Sequence, residues 1–297
     1  MDTFTIQQGL ALGLTRATMR SRRFTAPFHG VRVEGPCPTS VDARCHAALP
    51  LLPDDAAFSH VTALALLGVE VPWRLQSDPL VHVTTRRRET RPHRPEIAAH
   101  LCTQAALDIV QVGALPVTSP EQTWLQLAHY LPLADVVVLG DAMLRRVEPV
   151  TDLGRLESLM LHTHKMRGLT ACRAALELMV AGTDSTMETR TRLVLVAAGL
   201  PCPEVNTPVY DDAGHFVALP DLQYHRLKIA IEYDGDVHRT DPAAWRRDIE
   251  RCHGLEDAGW LIITATADDV LRHPERLVAR VSAAVRRRSG EHVWAQG

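Results

Sequence analysis

The chain has 297 residues, 46% of them hydrophobic, and a formal net charge of -3. That content supports buried cores and excludes a disordered chain, and the length suggests two domains at roughly 100–200 residues each. No apolar run approaches the ~20 residues of a membrane helix, and residues 1–18 lack a basic segment followed by an apolar stretch. Neither a membrane span nor a signal peptide is therefore read, and the expected location is cytoplasmic. Six scattered cysteines (Cys37, Cys45, Cys102, Cys172, Cys202 and Cys252) form no C-x-x-C pair, which points to reduced thiols rather than a zinc ribbon or a disulfide framework. The negative balance argues against a wholly basic nucleic-acid binder but leaves room for a local basic face.

In chain order, Thr5 can cap a helix over Ile6–Leu12 that Gly13 stops, and Thr15 can cap a second helix from Arg16. Phe24–Val33 reads as a strand, a turn and a strand. Helix, helix and β-wing is a winged helix-turn-helix order, expected over residues 1–38. Arg16, Arg20, Arg22 and Arg23 lie on or after the second helix, where such modules meet phosphates and base edges. A protein-contact module with a solvated basic helix is the alternative. Residues 39–182 read as an α+β middle region. Ser59 can cap Val61–Leu67, Leu80–Thr84 is a strand, and Arg86–Arg91 is an exposed basic loop. Ser119-Pro120-Glu121-Gln122 starts a helix with a cap, a first-turn proline and a capping-box glutamine. Leu133–Arg146 and Leu153–His164 follow as helices. No titratable constellation is read in this region, and His162 and His164, two apart, share no helix face.

The polar stretch Ala181–Ser185 marks a boundary, with a domain expected over 183–288 and a fraying tail over 289–297. Ser185 can cap a helix Thr186–Ala198 with Glu188 in its first turn. Pro208–Tyr210 and His215–Leu219 read as strands around the turn Asp211–Gly214. In Leu227–Asp234 the residues alternate, so Lys228, Ala230, Glu232 and Asp234 share one face. If His225-Arg226 is a two-residue hairpin turn, Tyr224 pairs with Leu227, and Asp221 falls opposite Ala230 as a diagonal neighbour of Glu232. Asp221, Glu232 and Asp234 would repel one another unless a cation sits between them, and hard oxygen donors suit Mg²⁺ or Mn²⁺. A solvated sheet face with salt bridges is the alternative. A helix Ala243–Ala258 carrying Arg246, Arg247, Asp248 and Arg251 follows, then a buried strand Trp260–Thr266. A last helix, capped by Asp268 or Asp269, ends in Arg286-Arg287-Arg288. Helix, β-meander, helix, strand, helix is an α/β order with a mixed sheet flanked by helices.

Two resemblances extend this reading. Ala11–Arg16, Phe28–Val31, Phe58-Ser59-His60 and Thr118–Thr123 resemble the N-terminal region of AbiEi-type antitoxins, with Gln126 near a place where that pattern has an acidic residue. Pro220-Asp221, the step to Glu232, and Glu232–His238 resemble the PD-(D/E)xK nuclease core. More closely, they are similar to the very-short-patch-repair endonuclease relatives found as uncharacterised actinobacterial proteins. Arg246-Arg247-Asp248, Leu255-Glu256, Ala258-Gly259-Trp260 and Thr266–Val270 carry the match on. The resemblance implies a restriction-endonuclease-like α/β domain, preceded by an α+β region containing a winged helix. It implies that Asp221 and Glu232 bind the metal, Glu188 orients a metal-bound water, and His238 acts as general base or leaving-group acid. Arg247 and Arg251 would join Arg16, Arg20, Arg22 and Arg23 in contacting DNA. Asp234 occupies the usual lysine place, and Lys228 lies ~13 Å upstream at ~3.3 Å per residue. The expected activity is metal-dependent DNA cleavage. The alternatives are a non-catalytic DNA-binding regulator of the type IV antitoxin kind and a module that binds a toxin or defence-system protein.

Overall fold

A computed structural model describes residues 3–104, 107–235 and 242–294, with the backbone alone at 242–249 and 291–294. The chain divides into two compact units, one of residues 1–139 and 154–174 and one of 140–153 and 175–297. Both are α/β, built on mixed or antiparallel sheets with helices against them. No described helix is long and apolar enough to cross a membrane.

The first unit opens with β1 (Thr3–Thr5), α1 (Ile6–Ala11), β2 (Phe24–Thr25) and β3 (Val31–Glu34). Thr5 closes a capping box with Gln8. Gly13, at φ +83, turns the chain out of α1. The strands form an antiparallel sheet ordered β1-β3-β2, with Phe4, Met19 and Phe24 packed together as a small core. A Cβ at Gly9 would meet the Met19 sulfur at 2.5 Å and the Phe4 ring at 2.8 Å, so this contact needs a glycine. The wing hairpin is present, but the expected second helix is reduced to a single 3-10 turn, Thr18–Arg20. The Thr15 hydroxyl does accept the Thr18 N–H, yet Ser21 is extended (ψ 164), and the turn ends there.

The rest of this unit contains α2 (Val41–Ala48), β4 (Ala57–Phe58), α3 (His60–Leu66), β5 (Val81–Thr85), β6 (Ile97–Leu101), β7 (Ile109–Val112), β8 (Leu115–Thr118) and α4 (Pro120–Leu127). The five strands lie in the order β6-β5-β4-β8-β7. β5 is parallel to β6 and β4 to β8, while the β4–β5 and β7–β8 pairs are antiparallel. Phe58, Val83, Leu115 and Val117 lie in the core beside Cys45 and Ala63. Ser119 accepts the Gln122 N–H and Pro120 stands in the first turn of α4, as its sequence demands. The indole N–H of Trp124, in that helix, donates to the Val136 carbonyl at 2.9 Å. Three helices follow, α5 (Leu133–Met143), α6 (Leu153–His162) and α7 (Leu169–Leu176). The chain changes unit within α5, at the start of α6 and within α7.

The second unit continues with α8 (Thr186–Ala197), β9 (Glu204–Val205), β10 (Val209–Tyr210), β11 (Phe216–Ala218), β12 (Leu222–Tyr224), β13 (Ile229–Asp234), α9 (Pro242–Asp257), β14 (Leu261–Thr266), α10 (Ala267–Leu271) and α11 (Pro274–Trp294). Its main sheet is ordered β14-β13-β12-β9. β13 and β14 run parallel, joined across α9, while β12 is antiparallel to both its neighbours. One face holds Leu222, Ile229, Ile231 and Ile263 against Leu195 of α8 and Leu277 and Val281 of α11. The other holds Ala230 against Leu255 and Trp260, with Val209 and Ala218.

Two expectations are corrected here. The meander is not one sheet, because β10 and β11 form a separate ribbon. The outer edge of β12 is taken by β9 instead, extended by the Asn206 N–H to the Asp221 carbonyl at 3.0 Å. The expected last helix is two. Thr266 caps α10 through a capping box with Asp269, and α11 starts anew at Pro274, a residue suited to a first turn. Helix α11 then runs to Trp294.

A buried ion pair braces this unit. Arg192 of α8, 1% exposed, reaches Asp141 of α5, 0% exposed, at 2.7 Å. Asp141 also accepts from the Thr189 hydroxyl at 3.0 Å and the Val180 N–H at 2.9 Å.

Candidate functional site

The acidic site is built by the β12–β13 hairpin, whose register differs from the expected one. Tyr224 pairs with Ile229 and Leu222 with Ile231, so the connection is His225–Lys228 rather than a two-residue turn. Lys228 makes this possible. It sits in the left-handed region (φ 48, ψ 50), where its N–H donates to the His225 carbonyl. Its ammonium donates to the Ala258 carbonyl at 2.9 Å, and its own carbonyl accepts from Leu261 N–H at 2.8 Å. The shift is two residues, which preserves the face of every side chain. Continued one step, the register sets Asp221 directly across from Glu232, where it was expected on the diagonal.

Glu232 is buried and its Oε2 accepts from Arg251 of α9 at 2.9 Å. Asp221 Oδ2 accepts the Tyr233 N–H at 2.7 Å. Glu188 is placed by the Ser185 cap of α8, and its Oε2 accepts from the Asp184 N–H at 2.9 Å and the Asn206 amide at 2.8 Å. Burial, reinforced by the charges of Glu232 and Glu188, raises the Asp221 carboxyl to about 7, against the opposing pull of the Tyr233 N–H and Arg251. Asp234 ends β13, exposed, two residues beyond Glu232, with Thr266 as its β14 partner. It is more exposed than either Asp221 or Glu232. His238 lies outside the described residues, as does the side chain of Arg247. A pocket of about 950 Å³ opens at the other end of β13 beside Lys228 and Trp260. It is lined by none of these carboxylates.

The state of Asp221 has a consequence for stability. Its carboxyl moves from an ordinary 3.8 to about 7 on folding, so between those values the folded chain holds a proton that the unfolded chain releases. The stabilisation is complete below pH ~4 and is lost as pH rises through 7. In a chelator, the difference in unfolding free energy between wild type and Asp221→Asn should change by a few kcal/mol between pH 4 and 8, with the wild type the one that loses stability. Parallel stability curves for the two chains would contradict this environment.

In the first unit the structure assembles a group that sequence reasoning missed. His60, His82 and His100 bring one ligand atom each within 4.8 Å of one another, the one such group of three among the described residues. His82 Nδ1 lies 3.1 Å from His100 Nε2. His82 Nε2 meets Asp78 Oδ2 at 2.9 Å and His60 Nδ1 meets the Ser59 hydroxyl at 2.9 Å. Burial, then the neighbouring histidines, keeps His60 well below its ordinary range. Burial, His82 and Arg91 hold His100 at about 4. The three lie 22 and 18 residues apart in sequence, on a helix start and two strands. The parallel pairing of β5 with β6 is what aligns them, and only a pattern aligning those strands would have disclosed it.

At the N-terminus Arg16, Arg20 and Arg22 are exposed, and Arg23, also exposed, pairs with Glu34 at 2.8 Å.

No family model matches the chain. It is similar to two proteins of Mycobacterium tuberculosis, Uncharacterized protein MT2308 of strain CDC 1551 and Uncharacterized protein Rv2248 of strain H37Rv. Each is 28% identical over 189 residues, 64% of this chain and 69% of the relative. Among solved structures, the RV2827C protein from the same organism aligns over 71% of this chain and 84% of its own, at 14% identity and a TM-score of 0.41. A likeness that weak carries no argument about this fold.

Proposed function

We propose that the second unit is a metal-dependent DNA endonuclease centre of the restriction-endonuclease-like, very-short-patch-repair kind, and that the N-terminal module of the first unit binds DNA. The observation that carries the reading is the facing pair of half-buried Asp221 and buried Glu232, with Glu188 close enough to raise Asp221 further. The gathered carboxylates of Asp221, Glu232 and Glu188 suit a hard divalent cation, Mg²⁺ or Mn²⁺, held by Asp221 and Glu232. Such an ion would lower the pKa of water and stabilise charge on the phosphorane. Around it, Glu188, fixed by the Asp184 and Asn206 donors, orients the attacking water. Arg251, on Glu232, supplies a cation at the phosphate-facing rim. His238 handles the proton. The test is cleavage of plasmid and oligonucleotide DNA in Mg²⁺ or Mn²⁺, wild type beside Asp221→Ala.

One observation favours a second reading. The Arg251–Glu232 ion pair already gives one of the would-be metal ligands a cationic partner, and Asp234 stands where a catalytic lysine is usual. A non-catalytic DNA-binding regulator of the type IV antitoxin kind, using the nuclease fold as a scaffold, would keep that pair permanently.

DNA binding has its own test. Arg16 and Arg20 are exposed on one short stretch. Replacing both by alanine should weaken binding alike for all sequences and reduce the slope of log K against log salt by about 2, roughly 0.9 per phosphate contact. An unchanged slope would remove them from the interface.

A further inference from the structure

We propose that His60, His82 and His100 form a binding site for a divalent transition-metal ion of the zinc class. Three imidazole nitrogens bind such an ion at ~2.0–2.1 Å, and tetrahedral angles then set the nitrogens about 3.3–3.5 Å apart. His82 Nδ1 and His100 Nε2 already stand 3.1 Å apart, and the third ligand atom lies within 4.8 Å of both. The backbone fixes this arrangement. In the parallel β5–β6 register His82 faces Ala98 and Thr84 faces His100, so the two rings share one face on adjacent strands. His60 opens α3 with φ +53, a left-handed conformation that is uncommon and strained for a residue with a side chain. At that angle its ring stacks on His100.

The outer contacts are those of a ligand set. Asp78 takes one nitrogen of His82 and Ser59 takes one of His60, which orients the remaining nitrogens toward the cluster. A carboxylate behind a histidine is the arrangement that fixes ring tautomer and basicity at metal centres. Where His82 Nδ1 and His100 Nε2 face each other, 3.1 Å is a hydrogen-bond distance with room for one N–H between them. An ion bound by both nitrogens takes the place of that hydrogen, which moves to Nδ1 of the His100 ring. Binding also opens the stack of His60 on His100, whose ring centroids are 3.7 Å apart, by rotating the imidazole until its lone pair meets the ion.

An all-imidazole set selects zinc-class ions over Mg²⁺, so this site is independent of the acidic pair in the second unit. Its open side gives onto a pocket of about 420 Å³ rimmed by Arg91, Lys165 and Arg167. Two buried amide atoms in that pocket's wall, Gln122 Nε2 and Gln126 Oε1, have no hydrogen-bond partner among the described residues.

The experiment is titration of the full chain with Zn²⁺ and Co²⁺ against a competing chelator, in excess Mg²⁺, with histidine-ring NMR of the wild type in parallel. Zn²⁺ should bind at one equivalent and shift the ring resonances of His60, His82 and His100, and Co²⁺ should give a tetrahedral visible spectrum. Asp78→Asn should weaken binding ~10–100-fold. His82→Gln and His100→Gln, checked for folding by circular dichroism, should weaken it further, while Asp221→Ala should leave it unchanged. No binding by the wild type, shifts confined to other histidines, or full affinity in folded His82→Gln and His100→Gln would overturn the site. Where a variant does not fold, the wild-type ring shifts decide.

Discussion

DNA cleavage in Mg²⁺ or Mn²⁺ should fall by roughly 10³-fold or more in Asp221→Ala and in Glu232→Ala, since a lost metal ligand removes several kcal/mol at ~1.36 kcal/mol per tenfold. Both chains should stay folded. Asp221→Ala relieves a buried carboxyl already forced toward its neutral form. Glu232→Ala removes a buried carboxylate whose partner, Arg251, is already partly exposed to water. His238→Ala should differ in kind. Cleavage should slow by ~10²–10⁴-fold and lose its near-neutral pH limb, while metal affinity is retained, because an imidazole handles protons outside the ligand set. Full activity in Asp221→Ala would expose a contaminating nuclease. An inactive wild type that still binds DNA would establish the regulator reading instead.

The largest effect on stability is expected at Asp141. Its carboxylate, wholly buried, meets the Arg192 guanidinium, the Thr189 hydroxyl and the Val180 N–H. Burial still outweighs these partners and raises its pKa, so the pair is costly to bury and costlier to break. Asp141→Ala should lower the unfolding free energy of the second unit by about 3–5 kcal/mol, because it strands a buried guanidinium. Arg192→Met should cost less than Asp141→Ala, since the remaining carboxyl can take up a proton. The double variant Asp141→Leu, Arg192→Met should recover much of the loss, because two apolar side chains need no partners. A urea titration giving less than 1 kcal/mol for Asp141→Ala would show that the pair is not desolvated as drawn.

Local signals were legible in the sequence where one residue does one job. The caps at Thr5, Ser119 and Ser185 stand where their hydroxyls and following residues place them. The alternation in β13 sorted Glu232 from Ile231 correctly. Register was not legible, because it depends on Lys228 adopting a left-handed conformation and bonding to residues more than 25 positions away. An error of two residues left every side chain on its face, and the acidic pair survived it. The histidine cluster was invisible for a related reason. His82 and His100 meet through a parallel pairing of strands, and parallel pairing leaves no turn signal between its partners.

The path of the chain bears on how this protein is made. Residues 140–153 belong with the second unit, yet they emerge before residues 154–174, which complete the first. During synthesis the first unit cannot close until residue 174 has left the ribosome, and Asp141 must wait unpaired for Arg192, fifty-one positions later. A fragment cut at the polar boundary near residue 183 would inherit the arginine without its carboxylate. The smallest autonomous form of the second unit is therefore not a contiguous C-terminal piece beginning there, and attempts to express it that way would deliver a chain with a vacancy in its interior.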